Sequence, residues 1–443
     1  MNDTIAAVST AFGQGAVALL RVSGPGARGI AETVFLGKTS PPRVQHFGNV
    51  MDGEGEKIDE VLLTVFEGPA SYTGEDMVEI GCHGGLLVTR RILDRLLECG
   101  ARSAEPGEFT QRAFLNGKMD LTQAEAVMDL IGARTELALK AANAQLEGRL
   151  GAKVAAMRET ALGLLAHVEA YIDFPEEDID PETGEALLGK MRGLVSDIEA
   201  LLATSEQGRI LREGVATVIC GAPNVGKSSL LNVLLGFERA IVSEVAGTTR
   251  DTIEEVISLK GIPLRLIDTA GVRESEDVIE KAGIARTAKQ MASADLILEV
   301  VDGSQPKTAP AYDVPGRDTA KHVLILNKQD LGVHPSWDGS NTVSMSCLGD
   351  DSETLADEIF ARVTGGDVPW GANIVAINAR HRSCLLRAKE KLEAAGSALK
   401  EEMSAEFVAL DLREAMDAIG EIAGRADVEE LLGEIFSSFC IGK

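Results

Sequence analysis

The chain has 443 residues, more than one hydrophobic core usually supports, so we expect two or three domains. Its net charge of −26 argues against broad nonspecific binding of nucleic acid, although a local basic patch is still compatible with RNA binding. Apolar runs of membrane-spanning length, a secretory signal pattern and C-x-x-C spacing among the six cysteines are all missing. We therefore expect a cytoplasmic protein with reduced thiols and no membrane partner.

Residues 1–118 alternate short apolar runs with turn residues, which indicates a small α+β domain. Periodicity predicts strands at 4–8, 16–22, 61–66 and 77–80. It also predicts a helix over 86–99, with an apolar side formed by Leu87, Ile92, Leu93, Leu96 and Leu97.

Residues 104–118 gather charged side chains beside a Pro-Gly turn, namely Glu105, Glu108, Arg112 and Lys118. Such a group either lines a pocket or forms ordinary charge pairs at a solvated helix start, and the spacing alone favours the solvated helix. Upstream, Cys82 and His83 are interpreted as local structure, since no second pair has the spacing of metal ligands.

Two long stretches on either side of a central segment have helical periodicity. Apolar residues recur every three or four positions over 121–171, and helix is predicted again at 185–207, 379–403 and 410–439. Between the first two stretches, prolines and carboxylates at 174–181 indicate a solvated turn in preference to a metal site. The simplest architecture is one all-α domain, built from residues 119–212 and 367–443, that carries an inserted nucleotide domain at 213–366.

The inserted segment opens with a phosphate-binding motif. An apolar run at 215–220 leads into G-x-x-x-x-G-K-[ST] at 221–228, whose glycines let backbone N–H groups converge on phosphate oxygens. Lys227 adds a positive charge at the β- and γ-phosphates, and Ser228 offers a hydroxyl to Mg²⁺. Asn224 has a spare carbonyl oxygen there, which could help to hold a monovalent cation that neutralises developing charge.

Two later motifs identify the base. Asp268-Thr269-Ala270-Gly271 follows a predicted strand and supplies a carboxylate for water-mediated Mg²⁺ binding. Asn327-Lys328-Gln329-Asp330 follows another strand, and the carboxylate of Asp330 can accept two N–H bonds from guanine that adenine cannot supply. Three motifs in this order predict a guanine-nucleotide site in an α/β P-loop (Ras-like) G domain.

The route to hydrolysis differs from that of Ras-type enzymes. Val272 stands where those enzymes have a glutamine that orients the attacking water, so another group is needed. Glu276 and Glu280 could position water, or could be ordinary helix-start charges. In the glycine-hinged loop at 247–251, Thr249 is assigned as a second hydroxyl ligand of Mg²⁺.

Stretches along essentially the whole chain resemble the bacterial tRNA-modification GTPase family MnmE, also called TrmE. Among them are Tyr72-Thr-Gly-Glu-Asp76, Cys82-His-Gly-Gly85, Glu105-Pro-Gly-Glu-Phe-Thr110, Gly247-Thr-Thr-Arg-Asp251 and the ending Phe439-Cys-Ile-Gly-Lys443. The resemblance implies that residues 1–118 form a dimerising, tetrahydrofolate-binding domain, followed by a two-part helical domain with an inserted G domain.

The resemblance also implies partners and a reaction. A homodimer would form a heterotetramer with the flavoprotein MnmG, which carries FAD, and would act on C5 of the wobble uridine of certain tRNAs. The group added is a (carboxymethyl)aminomethyl group whose one-carbon unit comes from a 5,10-methylene or 5-formyl tetrahydrofolate. The open alternative is a GTP-switched assembly factor for ribosomal RNA, which has no need of folate.

Site residues are implied by position. Folate would be bound by Arg21, Glu79, Lys118 and Lys443; potassium by Asn224, Ser243, Val245 and Thr248; and magnesium by Ser228 and Thr249, with Glu280 as the glutamate of hydrolysis. Nucleotide contacts are expected from Asn224, Val225, Gly226, Lys227, Ser228, Ser229, Ser243, Glu244, Val245, Ala246, Gly247, Thr248, Thr249, Asp268, Thr269, Ala270, Gly271, Asn327, Lys328 and Asp330. The chain departs from the common family residues at Ser243, Val245 and Cys347.

Cys440 stands four residues from the end of the sequence. Gly442 and Lys443 match a prenylation signal poorly, so lipidation is rejected. The generic interpretation is a packed thiol. The family ties this cysteine to the modification reaction, which makes Cys440 a candidate catalytic residue, and Lys443 could help to stabilise its thiolate.

Overall fold

The computed structural model describes residues 2–173, 183–237, 255–267, 290–308, 321–338, 342–349, 352–365, 370, 375–424, 429–437 and 439–443. The chain divides into two compact units. The first comprises Met1–Met128, Leu146–Met191 and Arg387–Lys443, and the second comprises Asp129–Gln145 and Arg192–Leu386. The predicted classes of structure are all present: an α+β N-terminal part, a set of helices, and an α/β part that carries the P-loop. The predicted domain boundaries stay predictions.

The N-terminal part of the first unit is built on a seven-stranded sheet of order β3-β4-β5-β6-β2-β1-β7. Neighbouring strands pair antiparallel except β1 with β7. The strands are β1 Ile5–Val8, β2 Val17–Ser23, β3 Phe35–Leu36, β4 His46–Met51, β5 Lys57–Phe66, β6 Met77–His83 and β7 Arg102–Ser103, and the helices are α1 Ala27–Val34, α2 Leu86–Glu98 and α3 Glu108–Leu115.

Alternation along the strands separates the two faces of this sheet. In β5, Val61, Leu63 and Val65 are buried in a core shared with α1 and α2, whereas Leu62 between them is 43% exposed. The opposite face carries polar groups, including the directly paired Arg21 and Glu79. On α2, the expected apolar side was partly wrong, since Leu87 is 71% exposed.

The helices follow the predicted pattern with two corrections. The stretch predicted at 185–207 forms two helices, α7 and α8, and the stretch at 410–439 also forms two, α12 and α13. In the first unit α6 packs along α12. An ion pair of 2.6 Å between Glu169 of α6 and Arg413 of α12 joins the two helices. The helices are α4 Leu121–Gly132, α5 Glu136–Leu146, α6 Arg149–Asp173, α7 Thr183–Leu202, α8 Ser205–Glu213, α9 Lys227–Leu235, α10 Ser352–Thr364, α11 Ala379–Lys400, α12 Ala405–Ile422 and α13 Glu429–Ser437.

The second unit contains a six-stranded sheet of order β13-β12-β11-β8-β10-β9, in which only β9 runs antiparallel to its neighbour. All six residues of β8 are buried, as expected for a parallel strand covered on both faces. Leu230 of α9 and Ile359 of α10 belong to its core. The strands are β8 Val215–Cys220, β9 Glu255–Leu259, β10 Ile262–Leu266, β11 Leu296–Asp302, β12 His322–Asn327 and β13 Val343–Ser344.

This topology positions the nucleotide motifs. Because β8, β11 and β12 are parallel, their carboxyl ends lie at one edge of the sheet, where α/β folds bind ligands. The P-loop leaves β8 at this edge, and the guanine motif leaves β12 at the same edge.

Among the described residues, no helix is long and apolar enough to span a lipid bilayer.

Candidate functional sites

The P-loop is a tight turn that requires its two glycines. A Cβ on Gly221, at φ +145°, would lie 2.2 Å from the carbonyl oxygen of Val300. One on Gly226, at φ +104°, would lie 2.1 Å from Nδ2 of Asn327. Between them Asn224 has φ +63°, a left-handed conformation that is uncommon outside glycine. The turn therefore delivers the chain to the N-terminus of α9, where backbone N–H groups favour an anion.

Lys227 and Ser228 occupy the first turn of α9. The half-buried Lys227 donates from Nζ to the carbonyl oxygen of Ala222 over 2.8 Å, so its ammonium folds back over the loop. Burial lowers the pKa of Lys227. Ser228 is exposed beside it, as a hydroxyl that meets a phosphate-bound Mg²⁺ must be.

Asn327 joins the P-loop to the loop that follows β13. Its side-chain Nδ2 donates to the carbonyl oxygen of Val225 over 2.9 Å, and its Oδ1 accepts from the amide of Cys347 over 3.0 Å. Ser346 donates from Oγ to Asp330 over 2.7 Å. The side chain of Asp330 is thereby held at the place where the sequence predicts guanine.

Asp302 is part of this site, and the sequence analysis missed it. Its carboxylate accepts from Nζ of Lys328 over 2.7 Å and also from the amide and hydroxyl of Ser304. Burial raises the pKa of Asp302, but these hydrogen bonds outweigh it and hold the pKa below its usual range. The available signal was positional, since Asp302 ends β11, the strand beside β12.

Several predicted site residues lie outside the described part of the chain. They are Ser243, Glu244, Val245, Ala246, Gly247, Thr248, Thr249, Asp268, Thr269, Ala270, Gly271 and Glu280. The acidic run at 174–181 also lies there. The roles expected of these residues stay predictions.

The first unit contains a pocket of about 480 Å³ on the polar face of its sheet. Two of the predicted folate residues, Glu79 and Lys118, line it, together with Phe66, Tyr72 and Met77. Arg21 donates from Nε to Glu79 over 2.8 Å, and its guanidinium carbon lies 5.3 Å from the centroid of the Tyr72 ring. The pocket thus combines an ion pair with apolar and aromatic walls, as small-molecule sites commonly do.

The C-terminal segment lies beside the same ion pair. Ile441 forms an antiparallel bridge with Pro106, and the exposed Cys440 immediately precedes it. Burial lowers the pKa of Lys443, and the charge of Arg21 lowers it further, against the smaller opposing effects of Cys440 and Glu79. The main chain of the segment is docked as well, since the amide of Phe109 donates to the carbonyl oxygen of Lys443 over 3.1 Å.

The interpretation of the charged group at 104–118 as a solvated helix start was wrong for Glu108 and Arg112, whereas Glu105 and Lys118 are exposed. Arg112 is 1% exposed and Glu108 is 4% exposed, and they pair over 2.9 Å. Arg112 also donates to Asp3 and Glu75, and Glu108 accepts from Arg102. Buried charges persist only when paired in this way. Of the four residues, Lys118 is the one that lines the pocket.

Cys82 and His83, interpreted from the sequence as local structure, make local contacts. Nδ1 of His83 lies 2.7 Å from Oδ1 of Asp59 on the neighbouring strand, and its amide donates to the same carboxylate. The thiol of Cys82 is buried in the sheet core, and burial raises its pKa to about 11.

Comparison with known proteins covers the whole chain. The MnmE helical domain matches residues 121–440, and the N-terminus of the GTP-binding protein TrmE matches residues 4–118. The tRNA modification GTPase MnmE of Akkermansia muciniphila is 53% identical over 448 residues, which cover 99% of each chain. That of Aquifex aeolicus is 46% identical over 450 residues, covering 100% of each.

A further relative and a solved structure complete the comparison. The tRNA modification GTPase MnmE of Clostridioides difficile is 43% identical over 458 residues, which cover 100% of each chain. The crystal structure of the G domain of the T. maritima FeoB iron transporter covers 33% of this chain and 96% of its own at 23% identity. Its TM-score of 0.24 is too low to add to the assignment. On the two family matches and the full-length identities, the chain belongs to the MnmE, or TrmE, family of tRNA modification GTPases.

Proposed function

We propose that this protein hydrolyses GTP and, with a flavoprotein partner, adds a (carboxymethyl)aminomethyl group to C5 of the wobble uridine of certain tRNAs. The one-carbon unit would come from a tetrahydrofolate held in the pocket of the first unit. Besides family membership, one observation carries the proposal: Glu79, paired with Arg21, lines an apolar-walled pocket of the first unit together with Lys118. A carboxylate and a cation beside apolar and aromatic walls suit the binding of a flat ring with a charged tail.

For GTP, the described residues supply the phosphate and base contacts. Lys227 would exchange its bond to Ala222 for phosphate oxygens, and Asp330 would accept the two N–H groups of guanine. Ser228 and Thr249 would hold Mg²⁺, which offsets phosphate charge when bound. Potassium on Asn224, Ser243, Val245 and Thr248 would neutralise charge that develops during hydrolysis, as an arginine finger does. We assign Glu280 to orient the water.

For folate, the pocket offers groups that complement both the ring and the anionic part of the ligand. The carboxylate of Glu79 can accept hydrogen bonds from the ring N–H groups of a pterin, while Phe66, Tyr72 and Met77 supply surface for its flat rings. Lys118 and Lys443 add positive charge for an anionic ligand. Cys440 is the nucleophile candidate, and its side chain is exposed.

The polar face of the N-terminal sheet also supports a homodimer. Phe47 and Leu62 are direct partners on neighbouring strands and are 68% and 43% exposed on the face that carries Arg21 and Glu79. Exposed large apolar side chains next to each other mark an interaction surface. We propose that a second copy of this chain covers them.

The first test compares GTP turnover in equal concentrations of K⁺ and Na⁺. We expect turnover in K⁺ alone, and equal rates would remove the cation site from the proposal. Glu280→Ala should abolish turnover while leaving GTP affinity unchanged, because the carboxylate acts on water and not on the nucleotide.

The second test separates modification from a role in ribosome assembly. Calorimetry with 5-formyltetrahydrofolate should give a heat of binding that Arg21→Ala removes, whereas an assembly factor would give none. Mass spectrometry of tRNA from cells that lack the protein should show an unmodified C5 at the wobble uridine.

A further inference from the structure

Arg43 lines the same pocket as Glu79 and Lys118, and neither the sequence motifs nor the family resemblance assigns it a role. Its guanidinium donates from Nη2 to the carbonyl oxygen of Ala70 over 2.6 Å. Lys118 donates from Nζ to the carbonyl oxygen of the preceding residue, Pro69, over 2.9 Å. Two cations thus converge on adjacent backbone carbonyls at one wall of the pocket.

These cations have no carboxylate partner among the residues that the structure describes. The nearby carboxylates are engaged elsewhere. Glu67 accepts from Arg28 over 3.1 Å, and Asp76 accepts from the amide of Gly68 over 2.9 Å. Glu79, which also lines the pocket, pairs with Arg21. Arg43 and Lys118 therefore place at this pocket two cations without an ion-pair partner among the described residues, in a chain whose net charge is −26.

The backbone holds Arg43 in a costly conformation at this wall. Its φ of +61° is left-handed, and its amide is fixed by a hydrogen bond to the carbonyl oxygen of Val65 over 2.8 Å. A non-glycine residue in this region costs free energy, and such residues concentrate at ligand sites. The hydrogen bond to Ala70 then holds the exposed guanidinium beside the pocket.

The pocket offers partners for both ends of one ligand. Glu79 lies opposite Thr64 in the sheet, and the amide of Arg43 is bonded to the next residue, Val65, near the end of β5. A reduced folate has N–H donors on its pterin ring and carboxylates on its glutamate tail, and each added glutamate supplies another carboxylate. Because Arg43 is exposed, it can meet carboxylates that extend beyond the pocket.

We propose that Arg43, with Lys118, binds the glutamate tail of the folate, so that the pocket prefers folates with several glutamates. This inference rests on the proposed folate binding of the pocket. Arg43 offers a carboxylate two parallel N–H donors, and such charge-assisted bonds are among the stronger ones in proteins. The contact orients the ligand with its ring towards Glu79 and its tail towards solvent.

Calorimetry on the full chain tests the proposal with three ligands: 5-formyltetrahydropteroate, which has no glutamate, and 5-formyltetrahydrofolate with one or three glutamates. Arg43→Ala should weaken binding of the triglutamate about tenfold, as for one lost charge-assisted hydrogen bond. The monoglutamate should lose less and the pteroate nothing. Arg43→Lys should restore part of the triglutamate affinity, because it keeps the charge but not the two parallel N–H donors.

Arg90→Ala is the matched control, since it removes an 80% exposed arginine on α2 that does not line the pocket. It should leave all three affinities unchanged. Triglutamate affinity should fall with rising salt in the unchanged protein and less steeply in Arg43→Ala. Equal losses for the three ligands, or none, would overturn the role of Arg43. If the unchanged protein binds none of them, folate binding itself is wrong, and this inference with it.

Discussion

The amide of Phe109 donates to the carbonyl oxygen of Lys443 over 3.1 Å. With the bridge between Pro106 and Ile441, this bond attaches the C-terminal segment to the first turn of α3. The same turn carries Glu108, which is held by Arg112 from the next turn. The docking of the C-terminal segment therefore depends on a turn that a buried ion pair holds in place.

Replacement of Arg112 by methionine should destabilise the first unit by about 3–5 kcal/mol, because it leaves Glu108 and Glu75 without their shared buried cation. Urea titration measures the change in the free energy of unfolding, and hydrogen exchange of residues 102–118 shows whether this region is affected. Arg28→Met is the control, since Arg28 is a surface arginine, and it should cost much less stability than the change at Arg112. Equal costs for the two variants would contradict the structural role of Arg112.

Acid should loosen the same region. The hydrogen bond from Arg102 lowers the pKa of Asp3. Burial raises the pKa of Glu108, but bonds from Arg102, Arg112 and the amide of Glu105 bring it below its usual value. A carboxyl whose pKa is lower when folded adds stability above its unfolded pKa, and loses it as pH falls through the folded pKa.

Hydrogen-exchange protection of residues 102–118 should therefore decline as pH falls below about 4, the unfolded pKa of these carboxyls. Glu108→Gln should be less protected at pH 7 and should show a shallower decline, because its amide does not titrate. A decline as steep as in the unchanged protein would mean that Glu108 is not among the groups responsible.

Local sequence patterns predicted much of the fold. The alternation of Val61, Leu63 and Val65 fixes which face of β5 is buried, and the continuous apolar run of β8 before a glycine loop identifies a P-loop strand. The buried charges were not predictable in this way. Arg112 meets Asp3 across 109 positions, and the pairing of Pro106 with Ile441 links still more distant segments. Periodicity describes one element at a time, so it does not report such contacts.

The site residues show the same difference between what a local motif predicts and what depends on distant segments. Lys227, Asn327 and Asp330 were predicted as site residues because each stands at a fixed place in a short motif, and their roles with GTP stay predictions. Asp302 and Arg43 were missed because their neighbours come from other segments: Asp302 accepts from Lys328, and Arg43 lines a pocket with Lys118. Once the parallel order of the strands is known, the position of Asp302 at the end of β11, beside β12, identifies it. Nothing local distinguishes Arg43, which stands in an ordinary loop.

Gly226→Ala should abolish GTP binding. The added Cβ would lie 2.1 Å from Nδ2 of Asn327, which holds the P-loop at Val225, and the residue has φ +104°. Gly332→Ala isolates the backbone strain, since Gly332 has φ +88° but no atom within 4 Å of an added Cβ. A fluorescent GTP analogue should bind the control and not Gly226→Ala. Similar affinities would show that Asn327 can move aside without loss.

Gly442→Ala tests whether the C-terminal segment must lie against the sheet for folate to bind. The added Cβ would lie 2.4 Å from the carbonyl oxygen of Val8 in β1, and φ is +92°, so the segment must shift as a whole. Lys443 would then leave Arg21 and Glu79, and we expect affinity for 5-formyltetrahydrofolate to fall at least about tenfold. The amide of Phe109 should exchange faster, because its acceptor is the carbonyl oxygen of Lys443.

Gly433→Ala is the matched control on α13, because an added Cβ there has no atom within 4 Å. It should preserve both folate affinity and the slow exchange of Phe109. GTP affinity should be unchanged in both variants, since neither touches the P-loop or the guanine motif. Faster exchange at Phe109 without loss of folate affinity would separate the two roles. The segment would then be docked as described, but Lys443 would not be a folate ligand.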